Sequence, residues 1–433
     1  MKSFLFAAAL ALSAVPASAA LTAQEKAMIA RVDAEQQRSL ALLEKLVVQN
    51  SGTLNLEGVE KVGQMMRAEL EPLGFDVRWV PLPETGRAGH IVAVHKGNGR
   101  GKRMLLIGHL DTVFEPDSPF QAYELQGDRA IGPGIGDDKG GMVVMVAALR
   151  AMQAAGTLKD ADIEIVLTGD EERPGSPIEK ARADLIAAGK RADVALDFEG
   201  LSQEDGKDMG SIARRSSSSW TLRTTGRTGH SSGVFSEGLG DGAIYEMARI
   251  LAAFRTELPE PNLTYNVGVI AGGTPAAIDA DGFRVTASGK TNIVAESAIA
   301  RGDIRTLTED QTTRTREKMK AIVAKNLPQT KAEIEFSNDG YPPMAPTEGN
   351  RALLTKLNAV NRDMGLPEMG EFDPARRGAA DISFVAKDTD GINGLGTAGG
   401  KAHADGEWIE VPSLWRQAKR AAILMSRLAA DRR

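Results

Sequence analysis

The chain has no cysteine among its 433 residues, and this absence excludes several kinds of site. Disulfide bonds, thiolate metal ligands and a cysteine nucleophile all require that residue. Histidine is also scarce, with five residues, and aromatic side chains make up 5% of the chain. Any metal site must therefore be built from histidine, aspartate and glutamate, and each histidine can be considered on its own.

The net charge is slightly negative and no basic block stands out. Lys+Arg 52 and Asp+Glu 58 leave a formal charge of −6, which argues against nucleic acid as the main partner. The chain is 42% hydrophobic and 25% charged, a composition typical of globular proteins and not of disordered ones. At roughly 150 residues per domain, the length corresponds to about three domains.

The N-terminal segment, residues 1–19, has the pattern of a secretory signal peptide. Lys2 precedes an apolar run, and the small residues Ala17, Ser18 and Ala19 resemble a cleavage site. The apolar run is too short to span a bilayer, and without cysteine no lipid-anchored cleavage site exists. A buried N-terminal helix is the alternative. We expect an exported product, periplasmic or secreted, with no membrane anchor.

Predicted strands and helices alternate through much of the chain. Ile163–Thr168 has the pattern of a buried strand, and Lys139–Ala155 that of a helix. This alternation predicts an α/β fold, a mostly parallel sheet with helices on both faces. Between residues 213–338 the order changes to β-α-β-β-α-β, which favours a ferredoxin-like α+β module. The simplest arrangement is one α/β unit from residues 20–212 and 339–433 that carries this module as an insertion.

Other segments predict further elements. Thr22–Gln49 has helical periodicity, and Leu263–Ile270 and Asn292–Arg305 have the composition of strands. The segment Gly273–Thr291 predicts an extra hairpin around Ala287–Lys290.

Polar residues suited to metal chemistry follow the predicted strands. His109 ends one strand and Asp111 lies two residues further on, where its carboxylate can accept the second imidazole N–H. A buried histidine beside a satisfied aspartate fits that motif equally well. Asp137 and Asp138 end a glycine-rich turn before a helix. Two acids there repel phosphate, so a phosphate loop is excluded, whereas a helix cap remains an alternative.

Three consecutive acids, residues 170–172, end another predicted strand. Adjacent carboxylates raise one another's pKa unless a cation lies between them, so one can bind metal while its neighbour moves a proton. A solvated acidic turn is the alternative. Glu199 follows a further strand, and His403 lies in a flexible loop with Asp405 as a candidate orienting partner.

Together these segments supply a ligand set without thiolates. Such a set suits a hard or borderline divalent metal, most plausibly Zn²⁺. Three carboxylates carry −3 and two Zn²⁺ carry +4, so one hydroxide would bring the centre to zero charge. The candidate ligands are His109, Asp137, Glu172, Glu199 and His403.

These motifs resemble the M20 family of metallo-exopeptidases and deacylases, in order and spacing, from about His109 to His403. The resemblance implies that Asp137 bridges two Zn²⁺ ions, with Co²⁺ or Mn²⁺ as other metals. It implies that His109 and Glu199 complete one metal site, and that Glu172 and His403 complete the other.

The resemblance also implies roles for the neighbouring residues. Glu171 would be the general base, and Asp111 would orient His109. The peptide bond between Asp137 and Asp138 would be cis.

The resemblance extends to the inserted module, which corresponds to the family's lid and dimerisation domain. The segment Gly226–Gly233 is similar to the lid histidine motif, so His230 is expected to polarise the substrate carbonyl across a homodimer interface. Asn292 is expected to contact substrate, with an ordinary turn residue as the alternative.

The implied function is that of an exported di-zinc hydrolase that cleaves a terminal peptide or amide bond, as a carboxypeptidase does. An N-acyl amino acid deacylase with the same site is the alternative, and an inactive exported binding protein is a remote one. Asn338 and Asp339 stand where glutamate carboxypeptidase has an arginine, which argues against glutamate specificity. The substrate carboxylate is instead expected to bind Arg305 or Lys207, and the other candidates are Arg214, Arg215, Arg376 and Arg377.

Overall fold

The computed structural model describes residues 20–279 and 282–433, so the predicted signal peptide, residues 1–19, lies outside the described residues. Within the described ranges, none of the helices has the length and apolar character needed to cross a membrane. The α-helices there are α1 (Ala23–Ala34), α2 (Gln36–Val48), α3 (Leu56–Leu70), α4 (Gly140–Ala154), α5 (Ile178–Ala181), α6 (Ala183–Arg191), α7 (Ala243–Glu257), α8 (Glu309–Val323), α9 (Glu348–Asp363) and α10 (Val411–Ala430).

The strands of the same ranges form one large sheet, a second antiparallel sheet and three small ones. They are β1 (Asp76–Leu82), β2 (Arg87–His95), β3 (Met104–His109), β4 (Glu124–Gln126), β5 (Arg129–Ile131), β6 (Ile163–Thr168), β7 (Val194–Asp197), β8 (Ser202–Glu204), β9 (Lys207–Met209), β10 (Ser218–Gly226), β11 (Thr264–Tyr265), β12 (Val269–Gly273), β13 (Ala276–Ile278), β14 (Val285–Ala287), β15 (Ser297–Arg305), β16 (Thr330–Phe336), β17 (Gly391–Asn393), β18 (Gly399–Gly400) and β19 (Trp408–Glu410).

The central sheet has six strands in the order β1-β2-β6-β3-β7-β17. The pairs β6-β3, β3-β7 and β7-β17 are parallel, whereas β1 and β2 form an antiparallel edge. Strand β3 shows why the sheet is covered on both sides. Leu106 belongs to the core under α4 and α10, while Leu105 and Ile107 belong to the core on the opposite face. The predicted α/β fold is confirmed.

The second sheet is antiparallel and lies between residues 218 and 336. Its path is β11-β15-β10-β16, with β12 also paired to β15, and α7 and α8 pack against it. The chain order β10-α7-β12-β15-α8-β16 is the β-α-β-β-α-β order that the sequence predicts. Its own hydrophobic core, built around Trp220, Phe254 and Met319, is separate from the cores of the central sheet.

Several predicted boundaries were wrong. The helix predicted over Thr22–Gln49 is divided into α1 and α2 at Glu35, whose φ of −104° and ψ of 14° interrupt the helical backbone. The strand predicted over Leu263–Ile270 is divided between β11 and β12, and that over Asn292–Arg305 begins only at Ser297. The segment from Asn292 to Val294 instead contacts the loop at residues 228–231 through backbone hydrogen bonds.

The extra hairpin exists, but its turn precedes the predicted position. Strands β13 and β14 pair between Ile278 and Val285, so Ala287 ends the second strand and is not in the turn. The Asp279 carboxylate explains the position, because it accepts the backbone N–H groups of Phe283 and Arg284 at 2.9 and 3.1 Å.

Three parallel strands of the central sheet end at one edge. Strand β3 ends at His109, β6 ends at Thr168 and β7 ends at Asp197, and each end is a predicted site residue or lies within three residues of one. A small sheet in the order β18-β19-β5-β4 holds the loop that carries His403. The carboxyl ends of parallel strands are where open α/β sheets bind ligands, so the fold collects these residues at one edge.

Candidate metal centre

Asp137 lies between two imidazoles. The Nε2 atom of His109 is 2.9 Å from Asp137 Oδ1, and the Nε2 atom of His403 is 3.0 Å from Asp137 Oδ2. Burial opposes ionisation of Asp137, but the two imidazoles outweigh it and hold the pKa of this carboxyl well below its ordinary value. One imidazole facing each oxygen is the arrangement expected of a carboxylate that bridges two cations.

Glu172 completes a compact cluster of ligand atoms. Its Oε2 atom is 3.1 Å from His403 Nε2, while its Oε1 atom is buried without a hydrogen-bond partner. Burial raises the pKa of Glu172 to about 7. The ligand atoms of His109, Asp137 and Glu172 lie within 4.8 Å of one another. A buried, unpartnered carboxylate oxygen beside two imidazoles fits a divalent cation.

His403 reaches this cluster from an exposed loop. Its contacts with Asp137 and Glu172 raise the pKa of the imidazole to about 10. The predicted orienting residue, Asp405, is exposed in the same loop. The His403 ring contacts the two cluster carboxylates, so these acids and not Asp405 fix its position in this structure.

Glu199 lies in the same cleft but has different partners. Its Oε2 atom forms a close ion pair with Arg214, and Arg377 Nη2 is 3.4 Å away. Of the five predicted ligands, His109, Asp137, Glu172 and His403 are therefore in direct contact. The fifth, Glu199, is held by two guanidinium groups.

Asp111 contacts both His109 and the two acids that follow β6. The Nδ1 atom of His109 is 3.1 Å from the main-chain oxygen of Asp111 and 3.5 Å from its Oδ1. The fully buried carboxylate also accepts the N–H groups of Glu171 and Glu172 at 3.0 and 3.1 Å, and the Thr53 hydroxyl at 2.6 Å. Asp111 thus fixes the two acids of the β6 end, and not only the imidazole.

Glu171 lines the cleft, and sequence reasoning missed the residues that hold its backbone. The Tyr341 hydroxyl donates to the main-chain oxygen of Glu171 at 2.7 Å and accepts Arg182 Nη2 at 3.0 Å. Arg182 is fully buried and paired with Asp170 at 2.6 Å and Asp381 at 2.7 Å. Burial raises the pKa of Glu171 well above its ordinary value.

Glu407 is another residue that the sequence did not reveal. Its buried carboxylate accepts the N–H groups of Gly134, Gly136 and Asp137 at 3.2, 2.7 and 3.1 Å. It follows the His403 loop, so it joins that loop to the turn that presents Asp137. The peptide bond between Asp137 and Asp138 is cis, as the resemblance implies.

The predicted lid residues lie together, away from the metal cluster. Ser231, next to His230, donates its N–H to the main-chain oxygen of Asn292 at 2.9 Å, and the His230 Nδ1 atom contacts the Ser232 hydroxyl at 2.9 Å. His230 is exposed. Neither His230 nor Asn292 lines the cleft that contains Asp137 and Glu171.

The cleft has a volume of about 360 Å³, within the usual size range of small-molecule sites. The two basic residues predicted to bind substrate do not line it. Arg305 pairs with Asp303 at 3.0 Å on β15, and Lys207 lies on β9 and lines a different cleft. The basic residues that line the cleft are Arg214, Arg376 and Arg377, which the sequence offered as the other candidates.

Comparisons of sequence and of structure relate the chain to known proteins. A sequence profile described as peptidase family M20/M25/M40 matches residues 105–427. The chain is 28% identical over 434 residues to carboxypeptidase G2 from Pseudomonas sp. (strain RS-16), covering 98% of each chain. It is 26% identical over 358 residues to a succinyl-diaminopimelate desuccinylase from Gluconobacter oxydans (strain 621H), covering 81% of this chain and 87% of the relative.

Solved structures show the same fold. A tripeptidase from Staphylococcus aureus superimposes with a TM-score of 0.69 at 18% identity, over 92% of this chain and 99% of its own. A dinuclear metal-binding peptidase from Bacillus subtilis gives a TM-score of 0.63 at 14% identity, over 92% and 99%. At these identities the likeness concerns the fold alone.

Proposed function

Because the chain belongs to peptidase family M20/M25/M40 and is a hydrolase of that family, we propose that it is an exported di-zinc enzyme that cleaves a terminal peptide or amide bond, as a carboxypeptidase does. The observation that carries this proposal is the position of Asp137. Its two oxygens face His109 and His403 separately, at 2.9 and 3.0 Å, which suits a carboxylate shared by two metal ions.

The residues divide into two sets around Asp137. His109 and Glu199 would complete one site, and Glu172 and His403 the other. Two Zn²⁺ ions, or Co²⁺ or Mn²⁺ in their place, would supply Lewis-acid polarisation of the carbonyl and a more acidic water. Glu171 accepts the proton of the attacking water and transfers it to the nitrogen of the leaving amine. Asp111 and Tyr341 hold the backbone of Glu171 in place for this transfer.

The lid is proposed to form a homodimer and to contribute His230 to the cleft of the partner subunit. His230 is exposed and does not line the cleft of its own chain. Strand β12 pairs only with β15 among the described strands, and Ile270 on it is 53% exposed. An edge strand that is paired on one side and carries an exposed apolar side chain favours pairing with a second copy.

A deacylase of N-acyl amino acids is the second candidate. It is favoured by the similarity to succinyl-diaminopimelate desuccinylase, and the same acids and imidazoles would serve it. An inactive binding protein is disfavoured, because all five predicted ligands and Glu171 are present.

A panel of peptides and N-acyl amino acids tests this proposal. We expect the zinc-loaded protein, with two metal equivalents by elemental analysis, to hydrolyse at least one of the two classes. A chelator should abolish that activity and Zn²⁺ should restore it. Hydrolysis of neither class by the fully loaded protein would refute the proposed function.

Export needs a separate test. A full-length chain with a C-terminal tag should be recovered outside the cytoplasm, with residues 1–19 removed according to its intact mass. A chain that starts at residue 20 is the matched control and should stay in the cytoplasm. Recovery of the uncleaved full-length chain in the cytoplasm would contradict the predicted export.

A further inference from the structure

Three arginines line the cleft that contains the metal ligands, and they differ in how their guanidinium groups are used. Arg214 is buried, donates to Asn393 Oδ1 at 2.8 Å and forms an ion pair with Glu199. Arg377 donates to the main-chain oxygen of Gly200 at 2.7 Å and also faces Glu199. The guanidinium groups of these two arginines are therefore already bound to Glu199 and its loop.

Arg376 is held differently and its guanidinium is accessible. Its side chain is 51% exposed, and its ion pair is with Glu204, whose side chain is 45% exposed. A pair between two exposed side chains contributes little, so a competing anion can replace Glu204. The Cζ atom of Arg376 lies 5.1 Å from the centre of the Phe372 ring, which supports the guanidinium from one side.

The backbone around Arg376 is fixed. The Asp373 carboxylate accepts the Ala375 N–H at 2.8 Å, and Arg215 Nη2 donates to the Ala375 main-chain oxygen at 3.0 Å. The backbone N–H of Arg376 donates to the main-chain oxygen of Asp373 at 3.1 Å. An arginine on a fixed turn loses less conformational freedom on binding than one on a mobile loop.

We propose that Arg376 binds a carboxylate of the substrate and makes this enzyme selective for anionic amides. This inference rests on the proposed amide hydrolysis. The planar guanidinium matches both oxygens of a carboxylate, and Arg214 and Arg377 add positive charge behind it. The same charges repel an ammonium group, so a substrate that places a free amine at this wall is disfavoured. The carboxylate comes either from the acyl part or from the leaving amino acid.

Three matched substrates test the inference and distinguish the two sources. N-succinyl-L-alanine carries both carboxylates, N-butanoyl-L-alanine lacks the one on the acyl part, and N-succinyl-L-alaninamide lacks the α-carboxylate. For substrates that retain the carboxylate bound by Arg376, we expect Arg376→Gln to lower kcat/KM by about 10- to 100-fold, mainly through KM. For the substrate that lacks it, wild type and variant should agree within about threefold.

The control is Arg351→Gln, which removes a half-buried arginine that pairs with Glu348 and Glu371 outside the cleft. It should leave the ratios among the three substrates unchanged. An equal loss on all three substrates in Arg376→Gln, or a loss below about threefold on each, would overturn the inference.

A binding measurement keeps this test independent of catalysis. If the acyl part supplies the carboxylate, succinate should bind the purified wild-type protein at least about tenfold more tightly than butyrate by calorimetry, and Arg376→Gln should remove that difference. Equal affinity of wild type for the two acids would exclude the acyl part as the source, and equal affinity together with no substrate-dependent loss in Arg376→Gln would overturn the inference. If the protein hydrolyses none of the amides, the proposed function is refuted, and the binding comparison alone then decides the role of Arg376.

Discussion

The two main sheets carry their functional residues in opposite ways. At the edge of the central sheet, His109, Asp137 and Glu172 are buried or half-buried, and their metal-ligand atoms lie within 4.8 Å of one another. On the lid, His230 is exposed, and its ring contacts Ser232 of its own loop. The central cluster is thus formed by contacts within a single chain, whereas His230 does not line the cleft that contains this cluster.

The difference has a structural cause. Parallel strands β3, β6 and β7 end at the same edge, so residues from distant parts of the chain meet without any motion. The lid histidine follows an antiparallel strand and lies in a glycine- and serine-rich loop, which suits an element that closes on substrate. Mutations should therefore separate metal loading, which the proposed function assigns to the central sheet, from carbonyl polarisation, which it assigns to the lid.

The largest effect is expected at Asp137. Because its two oxygens would serve both ions, Asp137→Ala should abolish metal loading at both positions together with activity. Elemental analysis after dialysis measures this. Asp405→Ala is the matched control, since that exposed aspartate contacts neither carboxylate of the cluster, and it should retain both equivalents. An Asp137→Ala protein that keeps two equivalents would show that the site is not built on this residue.

Variants of Glu171 and Glu172 should show separate effects on proton transfer and on metal binding. Glu171→Gln should keep both metals and substrate affinity while kcat falls by about 10²–10⁴, the usual range for general acid–base catalysis. Glu172→Gln, the adjacent control, should lose metal, because its buried Oε1 atom has no other partner in the structure. Metal loss in Glu171→Gln with a normal Glu172→Gln would reverse the two roles.

The lid should affect catalysis without affecting metal loading. His230→Ala should lower kcat by about 10²–10³, the range measured for donors that stabilise an oxyanion, with two metals retained. Mixing it with Glu171→Gln and exchanging subunits should restore about a quarter of wild-type activity, because half of the random dimers carry one complete site. Demonstrated mixed dimers without recovered activity would show that His230 does not act across the interface.

The smallest effect is expected at Tyr341, which follows the last lid strand, β16, and contacts Glu171 at the edge of the central sheet. Tyr341→Phe removes the hydroxyl that donates to Glu171, so kcat should fall by about three- to tenfold with little change in KM. Tyr265→Phe removes a comparable 2.9 Å bond to Phe254 within the lid and is the matched control. It should weaken the lid and leave kcat unchanged. Equal kcat losses in the two variants would indicate a general effect on stability.

The sequence by itself determined the fold class, the family and the candidate ligands. Hydrophobic strands followed by acids or histidine are local patterns, so His109 and the acids at residues 170–172 could be singled out as candidates, whereas their separate roles were implied by the family resemblance. The absence of cysteine limited the ligand types, and the alternation of strands and helices predicted the α/β fold that is confirmed. The order of the blocks identified the family, which the profile match confirms.

The tertiary structure decided which residues support these ligands and which basic residues face the cleft. Glu407 and Gly136 are 271 positions apart, and Tyr341 and Glu171 are 170 apart. No local pattern records such contacts, because a carboxylate beside a loop and one that holds three N–H groups look alike in sequence. For the same reason Lys207 and Arg305 could not be told from Arg376: a cation's position in the chain does not say which wall of the fold it faces.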